Sequence, residues 1–148
     1  MISPQPTFIR ERWQADGKIM TKKEFCQIVE ECKQALDVYA RTSPYDIISF
    51  FELTTAIGLL FFAKKKVAWA VVEVGCGGRF DASNVIPYKD VAIITSIGLD
   101  HTEILGATKA RIAQEKAGIV SPGCQVFTAV KSPSLLKIIK DTCQKKRS

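Results

Sequence analysis

The sequence contains no C-x-x-C pair, no G-x-x-x-x-G-K-[ST] loop, no internal repeat and no low-complexity tract. Each absence removes a class of protein. The five cysteines (Cys26, Cys32, Cys76, Cys124 and Cys143) are odd in number and scattered. That argues against a disulfide framework or zinc knuckle and for free thiols in a reducing compartment. The single Gly-Lys pair, Gly17-Lys18, lacks the upstream glycine and preceding strand of a phosphate-binding P-loop. Long apolar runs are also missing: residues 57–63 form the longest, far below the roughly 20 residues that cross a bilayer. Met1-Ile2-Ser3-Pro4 has neither the basic start nor the apolar stretch of a leader. These readings predict a cytoplasmic protein with no membrane partner.

What is present is ordinary for a globular chain. At 148 residues, 47% hydrophobic and 24% charged, it is one domain or part of one, long enough to bury a core. The net charge of +6 comes largely from Lys64-Lys65-Lys66 and the tail 140–147. Such local clusters are unlike a nucleic-acid stripe and suit anionic substrates such as ATP or a polycarboxylate.

Residues 3–20 carry no helical period, and Asp16-Gly17-Lys18 reads as a turn between short extended pieces. Thr21-Lys22-Lys23-Glu24 is a capping box, followed by Phe25, Ile28, Val29, Cys32 and Leu36 at helical spacing. A polar loop with a proline, residues 41–45, ends that helix. Ser49-Phe50-Phe51-Glu52 repeats the cap before an apolar helix over 53–63, closed by three lysines that suit the negative end of the helix dipole. Residues 67–74 form an apolar, β-branched run suited to a strand covered on both faces. Residues 91–97 repeat that pattern, and 125–130 do so more weakly. Between the last two strands, Thr108 caps a helix through Ala117, with Gly118 as its left-handed stop. Residues 134–145 read as a final helix. Strands alternating with helices predict an α/β layered fold with a parallel sheet.

The residues able to carry chemistry gather at the ends of these strands, where open parallel sheets bind ligands. Glu73 is either a solvated strand-end charge, alone or paired with Arg79, or a metal ligand or general base. Gly75, Gly77 and Gly78 either make a tight turn or let a ligand approach the backbone where a Cβ would block it. His101, the only histidine, follows Asp100 just past the second strand. It is either an exposed structural residue or a ligand. With Glu73 it would form a mixed nitrogen and oxygen site suited to Mg²⁺ or Mn²⁺ held together with substrate phosphates. Lys116, at the end of a helix, is read from physics alone as a stabilising cation beside the helix C-terminus.

Two families share the glycine turn. Val72 to Gly77 resembles the first motif of S-adenosylmethionine-dependent methyltransferases, over a handful of residues and without the helix that motif opens into. The longer resemblance runs from Ser3 to about Gly123. It comprises Ser3-Pro4 with Arg10-Glu11-Arg12 and Asp16-Gly17-Lys18; Phe51-Glu52-Leu53-Thr54-Thr55-Ala56; the block from Glu73 to Asn84; Ile94 to His101; Leu105-Gly106-Ala107-Thr108; and Ile112 to Ile119. In this order the blocks resemble the central ATPase domain of the Mur ligase superfamily, in its folylpolyglutamate synthase/dihydrofolate synthase branch.

The resemblance implies a partial doubly wound, mainly parallel sheet flanked by helices, P-loop NTPase-like but without the P-loop. Residues 1–148 would be part of the central ATP-binding domain, with the P-loop segment and the C-terminal ligase domain absent. It implies an enzyme that uses ATP and Mg²⁺ to phosphorylate a folate or dihydropteroate carboxylate, after which L-glutamate displaces phosphate. Ser3 and Glu73 would ligate one Mg²⁺ and His101 a second. Lys116 would be the family's carbamylated lysine, overturning its reading as a mere helix cap; carbamylation needs the neutral amine, hence a site that lowers the lysine pKa. Gly75, Gly77, Gly78, Arg79 and Asn84 would lie on the nucleotide side, and Arg10 and Arg12 near the pterin. Gln5-Pro6 departs from the family's His-Leu. The expected protein is a fragment of such a ligase, completed by a polypeptide that supplies the P-loop. The alternatives are an inactive remnant acting at most as a binding or interaction module and, distantly, a methyltransferase.

Overall fold

A computed structural model of the chain describes residues 1–45 and 47–147. These residues divide into two compact units, Met1–Glu73 and Val74–Ser148, each with its own core.

The first unit opens with a 3₁₀ turn, Ile9–Arg12, and a small hairpin of β1 (Gln14–Ala15) and β2 (Lys18–Ile19). Asp16 and Gly17 both have positive φ, 51° and 72°, the geometry a two-residue hairpin turn requires. Helix α1 (Lys22–Thr42) starts at the expected box: the Glu24 N–H donates to Thr21 Oγ1 and the Thr21 N–H donates back to Glu24. It runs into the expected loop before stopping. Helix α2 (Phe50–Lys65) begins at the Ser49–Glu52 box and ends with Lys66 left-handed. Six buried residues make the core: Trp13, Met20, Ile28, Ile57, Phe61 and Phe62. Trp13 is fully buried, donates its indole N–H to the Thr54 carbonyl at 3.2 Å, and stacks on Phe25. A bulky side chain fits there because Gly58 faces it: a Cβ on Gly58 would lie 2.7 Å from the indole nitrogen.

Residues 67–74 depart from the expected buried strand. They join no sheet: among the described residues their backbone bonds Phe62 at the start of the run and Met1 toward its end. Trp69 is 72% exposed and Val71 81%. An apolar β-branched run becomes a strand only when a neighbour offers a ladder, and the first unit offers a single residue.

The second unit is built on β3 (Val91–Ile94) and β4 (Gln125–Thr128), paired in parallel with Val91 opposite Gln125. Between them lie α3 (Thr102–Leu105) and α4 (Lys109–Ala117), and α5 (Pro133–Lys146) follows. The inward residues Ala92 and Ile94 pack with Ala117, Val120, Cys124 and Ile139. Here too the expectation of two covered faces fails: Val91, Ile93 and Phe127 are exposed, because this unit's helices supply one layer. Helix α4 ends at Gly118 as expected, but that glycine is right-handed (φ −58°) and not a left-handed stop. The α/β class and parallel pairing agree with the sequence reading. No helix among the described residues is long and apolar enough to cross a membrane.

Two outcomes follow for the first unit. Gly58→Ala lowers stability by about 1–2 kcal/mol net in urea unfolding, because overpacking against immobile Trp13 exceeds the helix-propensity gain of about 1 kcal/mol; an unchanged midpoint contradicts the contact. A hydrogen bond from Lys65, hydrogen bonds from Thr21 and the Lys65 charge pull Glu24 down to about 2, from an ordinary 4.5. A depressed carboxylate stabilises above its unfolded pKa and loses that contribution as pH falls through the folded one. Wild-type stability therefore declines between pH 4.5 and about 2 with a slope that Glu24→Gln lacks, measured by helix circular dichroism against pH.

Candidate functional site

In the first unit, the extended segment delivers Glu73 to a defined place. The Glu73 N–H donates to the Met1 carbonyl at 3.0 Å, and the Met1 amino group donates to the Val71 carbonyl at 2.6 Å. This clasp sets Ser3 against a carboxylate 70 positions away: the Ser3 N–H donates to Glu73 Oε2 at 2.7 Å. While the Met1 ammonium attracts the Glu73 carboxylate, the described residues give Glu73 Oε1 and the Ser3 hydroxyl no hydrogen bond. That donor chemistry fits Mg²⁺.

Arg10 and Arg12 differ in how they are held. Arg10 caps the Met20 carbonyl through Nη1 at 2.5 Å and is largely committed to the fold. Arg12 donates Nε to Gln5 Oε1 at 2.6 Å and lies 5.8 Å over the exposed Phe50 ring, with the rest of its fork available. The departure at Gln5 thus has a role: its amide oxygen orients Arg12.

In the second unit, residues 75–84 form a closed turn. Asp81 Oδ2 accepts the N–H groups of Gly75 (3.0 Å) and Cys76 (2.9 Å), while Oδ1 accepts the Ser83 N–H and hydroxyl. A four-residue 3₁₀ turn, Ala82–Val85, follows, not the α-helix a methyltransferase motif opens into. The turn rests backbone to backbone on the end of α4. The Arg79 N–H donates to the Glu115 carbonyl at 2.9 Å, and a Cβ on Gly78 would lie 2.8 Å from that carbonyl and 3.1 Å from that of Lys116. A Cβ on Gly118 would fall 2.6 Å from the Arg79 Cα, and one on Gly77 would strike Leu105. Asn84 completes the seat, donating to the Arg79 carbonyl at 3.0 Å and reaching the Gly118 carbonyl at 3.4 Å. Its buried Oδ1 has no partner among the described residues. Arg79 lies over Phe80, with Nε 3.8 Å from Glu115.

This seat fixes the half-buried Lys116 at the last turn of α4. His101 stands at the N-cap position of α3 in a left-handed conformation (φ 47°), its Nε2 3.9 Å from Asp100 Oδ2 and its backbone N–H donating to Asp100 Oδ1. Cys76 marks where these pieces meet. Burial pushes its thiol up, Asp81, Asp100 and Glu103 push the same way, and Lys116 pulls it down. The second unit therefore brings Lys116, the glycine turn and the start of α3 to one locality. Sequence reasoning passed over Asp81 and Cys76; Asp81-Ala82-Ser83 is a capping pattern that marks Asp81 as an acceptor of backbone N–H groups. Among the described residues no three His, Cys, Asp or Glu side chains converge as a metal cage. Mg²⁺ does not require one, since it keeps waters and binds through one or two protein oxygens plus phosphates.

No protein-family model matches the chain. Curated relatives and solved structures do. The chain is 37% identical to dihydrofolate synthase/folylpolyglutamate synthase of Bacillus subtilis over 144 residues, 97% of this chain and 33% of that protein. It superposes on the apo form of L. casei FPGS with a TM-score of 0.90 and 30% identity, over 99% of this chain and 36% of that one. An FPGS–AMPPCP–folate complex gives 0.91 and 30%, with the same coverage. Fold and sequence are those of a Mur-type α/β domain. It belongs to the folylpolyglutamate synthase/dihydrofolate synthase family, and it spans about a third of the length of the first of these relatives.

The seat has a direct test. Gly78→Ala puts a methyl group against two carbonyl oxygens that cannot move aside and costs about 1–3 kcal/mol. Gly98→Ala, where a Cβ meets nothing within 4 Å, stays within about 0.5 kcal/mol of wild type. Equal effects in chemical denaturation would contradict the close approach.

Proposed function

We propose that this chain forms part of a cytoplasmic, ATP-dependent ligase that joins L-glutamate to the carboxylate of a folate or dihydropteroate. The observation that carries this reading is the Ser3–Glu73 pair, assembled across 70 positions with an open carboxylate oxygen. The family relationship and the AMPPCP- and folate-bound neighbour support ATP and a folate as the ligands.

In the proposed reaction the substrate carboxylate attacks the γ-phosphorus of ATP, and ADP leaves with the bond electrons. The glutamate amine then attacks the acyl phosphate carbon; the amide forms, phosphate departs and the amine releases a proton. Mg²⁺, when bound, neutralises charge on the phosphate oxygens during transfer. Ser3 and Glu73 would hold one ion and His101 another, with Asp100 fixing the His101 backbone through its N–H. Lys116, as a carbamate, would present an anionic oxygen where an ammonium stood. Its seat on the glycine turn fixes the stem of that group. Gly75, Gly77, Gly78, Arg79 and Asn84 would border the nucleotide. Arg12, oriented by Gln5 and Phe50, would meet an anionic or flat aromatic part of the folate, and Arg10 would brace that loop.

The chain carries no G-x-x-x-x-G-K-[ST], so the grip on the transferred phosphate must come from another polypeptide segment. The 148-residue chain by itself is accordingly expected to show no folate- and glutamate-dependent ADP release; release that Glu73→Ala abolishes would overturn this. For the metal assignment, Mn²⁺ titrated in the presence of AMPPCP and followed by electron paramagnetic resonance binds wild type at least 10-fold more tightly than Glu73→Ala. Equal affinities would remove Glu73 from the site.

A further inference from the structure

We infer that Asp81 is the resident anion of the glycine turn: a positioning residue that fills an amide nest and holds the turn on the end of α4. Two successive backbone N–H groups, Gly75 and Cys76, point at one of its oxygens. The other oxygen takes the N–H and hydroxyl of Ser83. Consecutive N–H groups converging on one point form the concavity in which glycine-rich loops commonly receive a phosphate or carboxylate. Here the anion is covalently part of the chain. The Gly75 and Cys76 amides are therefore closed to an external phosphate, although they stand in the segment whose glycines suggest a phosphate contact.

The occupant also explains how the turn keeps its shape. Gly78 to Arg79 is backbone against backbone on α4, a contact that tolerates almost no displacement. A turn rich in glycine has large conformational freedom to lose and few side chains to fix it. Charge-assisted hydrogen bonds to a carboxylate are about twice as strong as neutral ones, so Asp81 is the group able to hold it. Through the turn, Asp81 acts on the position of Lys116 without touching it. The geometry is independent of whether Lys116 carries a carbamate.

A packing residue and a resident anion respond differently to added carboxylate. In Asp81→Ala the nest is vacated. The expected result is a lowered melting temperature and at least 10-fold faster amide exchange at Gly75, Cys76 and Arg79. Sodium formate restores both in part, whereas sodium chloride at equal ionic strength does not. Inorganic phosphate titrates the Gly75 and Cys76 amide resonances in Asp81→Ala and leaves them unmoved in wild type. If Asp81→Ala does not fold alone, recovery of its fold by formate supports the assignment, and failure to recover overturns it. Asp81→Asn, which keeps the shape with one acceptor oxygen, falls between the two in exchange rate at Gly75 and Cys76. Unchanged exchange at these two amides in Asp81→Ala, equal rescue by chloride, or phosphate-shifted amides in wild type each overturn the inference. Exchange that quickens at Gly75 and Cys76 but not at Arg79 overturns the action on α4. Labelling Lys116 with ¹³C-bicarbonate separates this from the ligase reading: a wild type with no carbamate signal rejects the role of Lys116 and leaves the nest to be judged on exchange and rescue.

Discussion

The backbone contact between residues 78–79 and the last turn of α4 is the constraint on which the second unit's candidate site depends. Two glycines 40 positions apart, Gly78 and Gly118, meet there. Two peptide segments can approach this closely only where side chains are missing, so the seat is specified by what Gly78 and Gly118 omit. In return it accepts one hydrogen bond at Glu115 and the amide of Asn84 across the joint. Lys116 projects from the same turn of helix, and its position is thus inherited from the glycines.

The first unit solves a similar problem by another means. Its carboxylate, Glu73, sits at the end of a segment with almost no ladder, and the clasp to Met1 supplies the missing register. Trp13, locked by Gly58 and the Thr54 carbonyl, anchors the hairpin that follows Ser3 on one side of the same element. Burial at one end and two backbone bonds at the other together define where Ser3 and Glu73 meet. The surface charges contribute little to this arrangement: Lys64–Glu31 is half exposed, and such pairs are worth well under about 1 kcal/mol.

Helices and caps were legible in the sequence because their signals are local. Thr21, Ser49 and Thr108 each present a hydroxyl to an N–H three residues on, and the structure places all three at helix starts. The α/β class and the parallel pairing were legible from the alternation of patterns. Residues 67–74 were not, because a strand is a relation between segments and an apolar run carries no record of whether a neighbour exists. The same reason explains the exposed face of β3. Among site residues, Glu73 stood out as a charge after an apolar run, and Ser3 gained meaning only through family resemblance. Lys116 is accounted for at a single position by the helix dipole, and its reading as a carbamylated residue came only through the family resemblance. Asp81 escaped attention because an acceptor of backbone N–H groups leaves no apolar period and no motif spacing beyond its two-residue capping pattern.

One residue records a choice. His101 holds a left-handed backbone, which for a residue with a Cβ costs on the order of 1–2 kcal/mol. Glycine would relieve that strain, and asparagine would reduce it. An imidazole at this corner therefore holds the turn into α3 under tension that a residue without a Cβ would release.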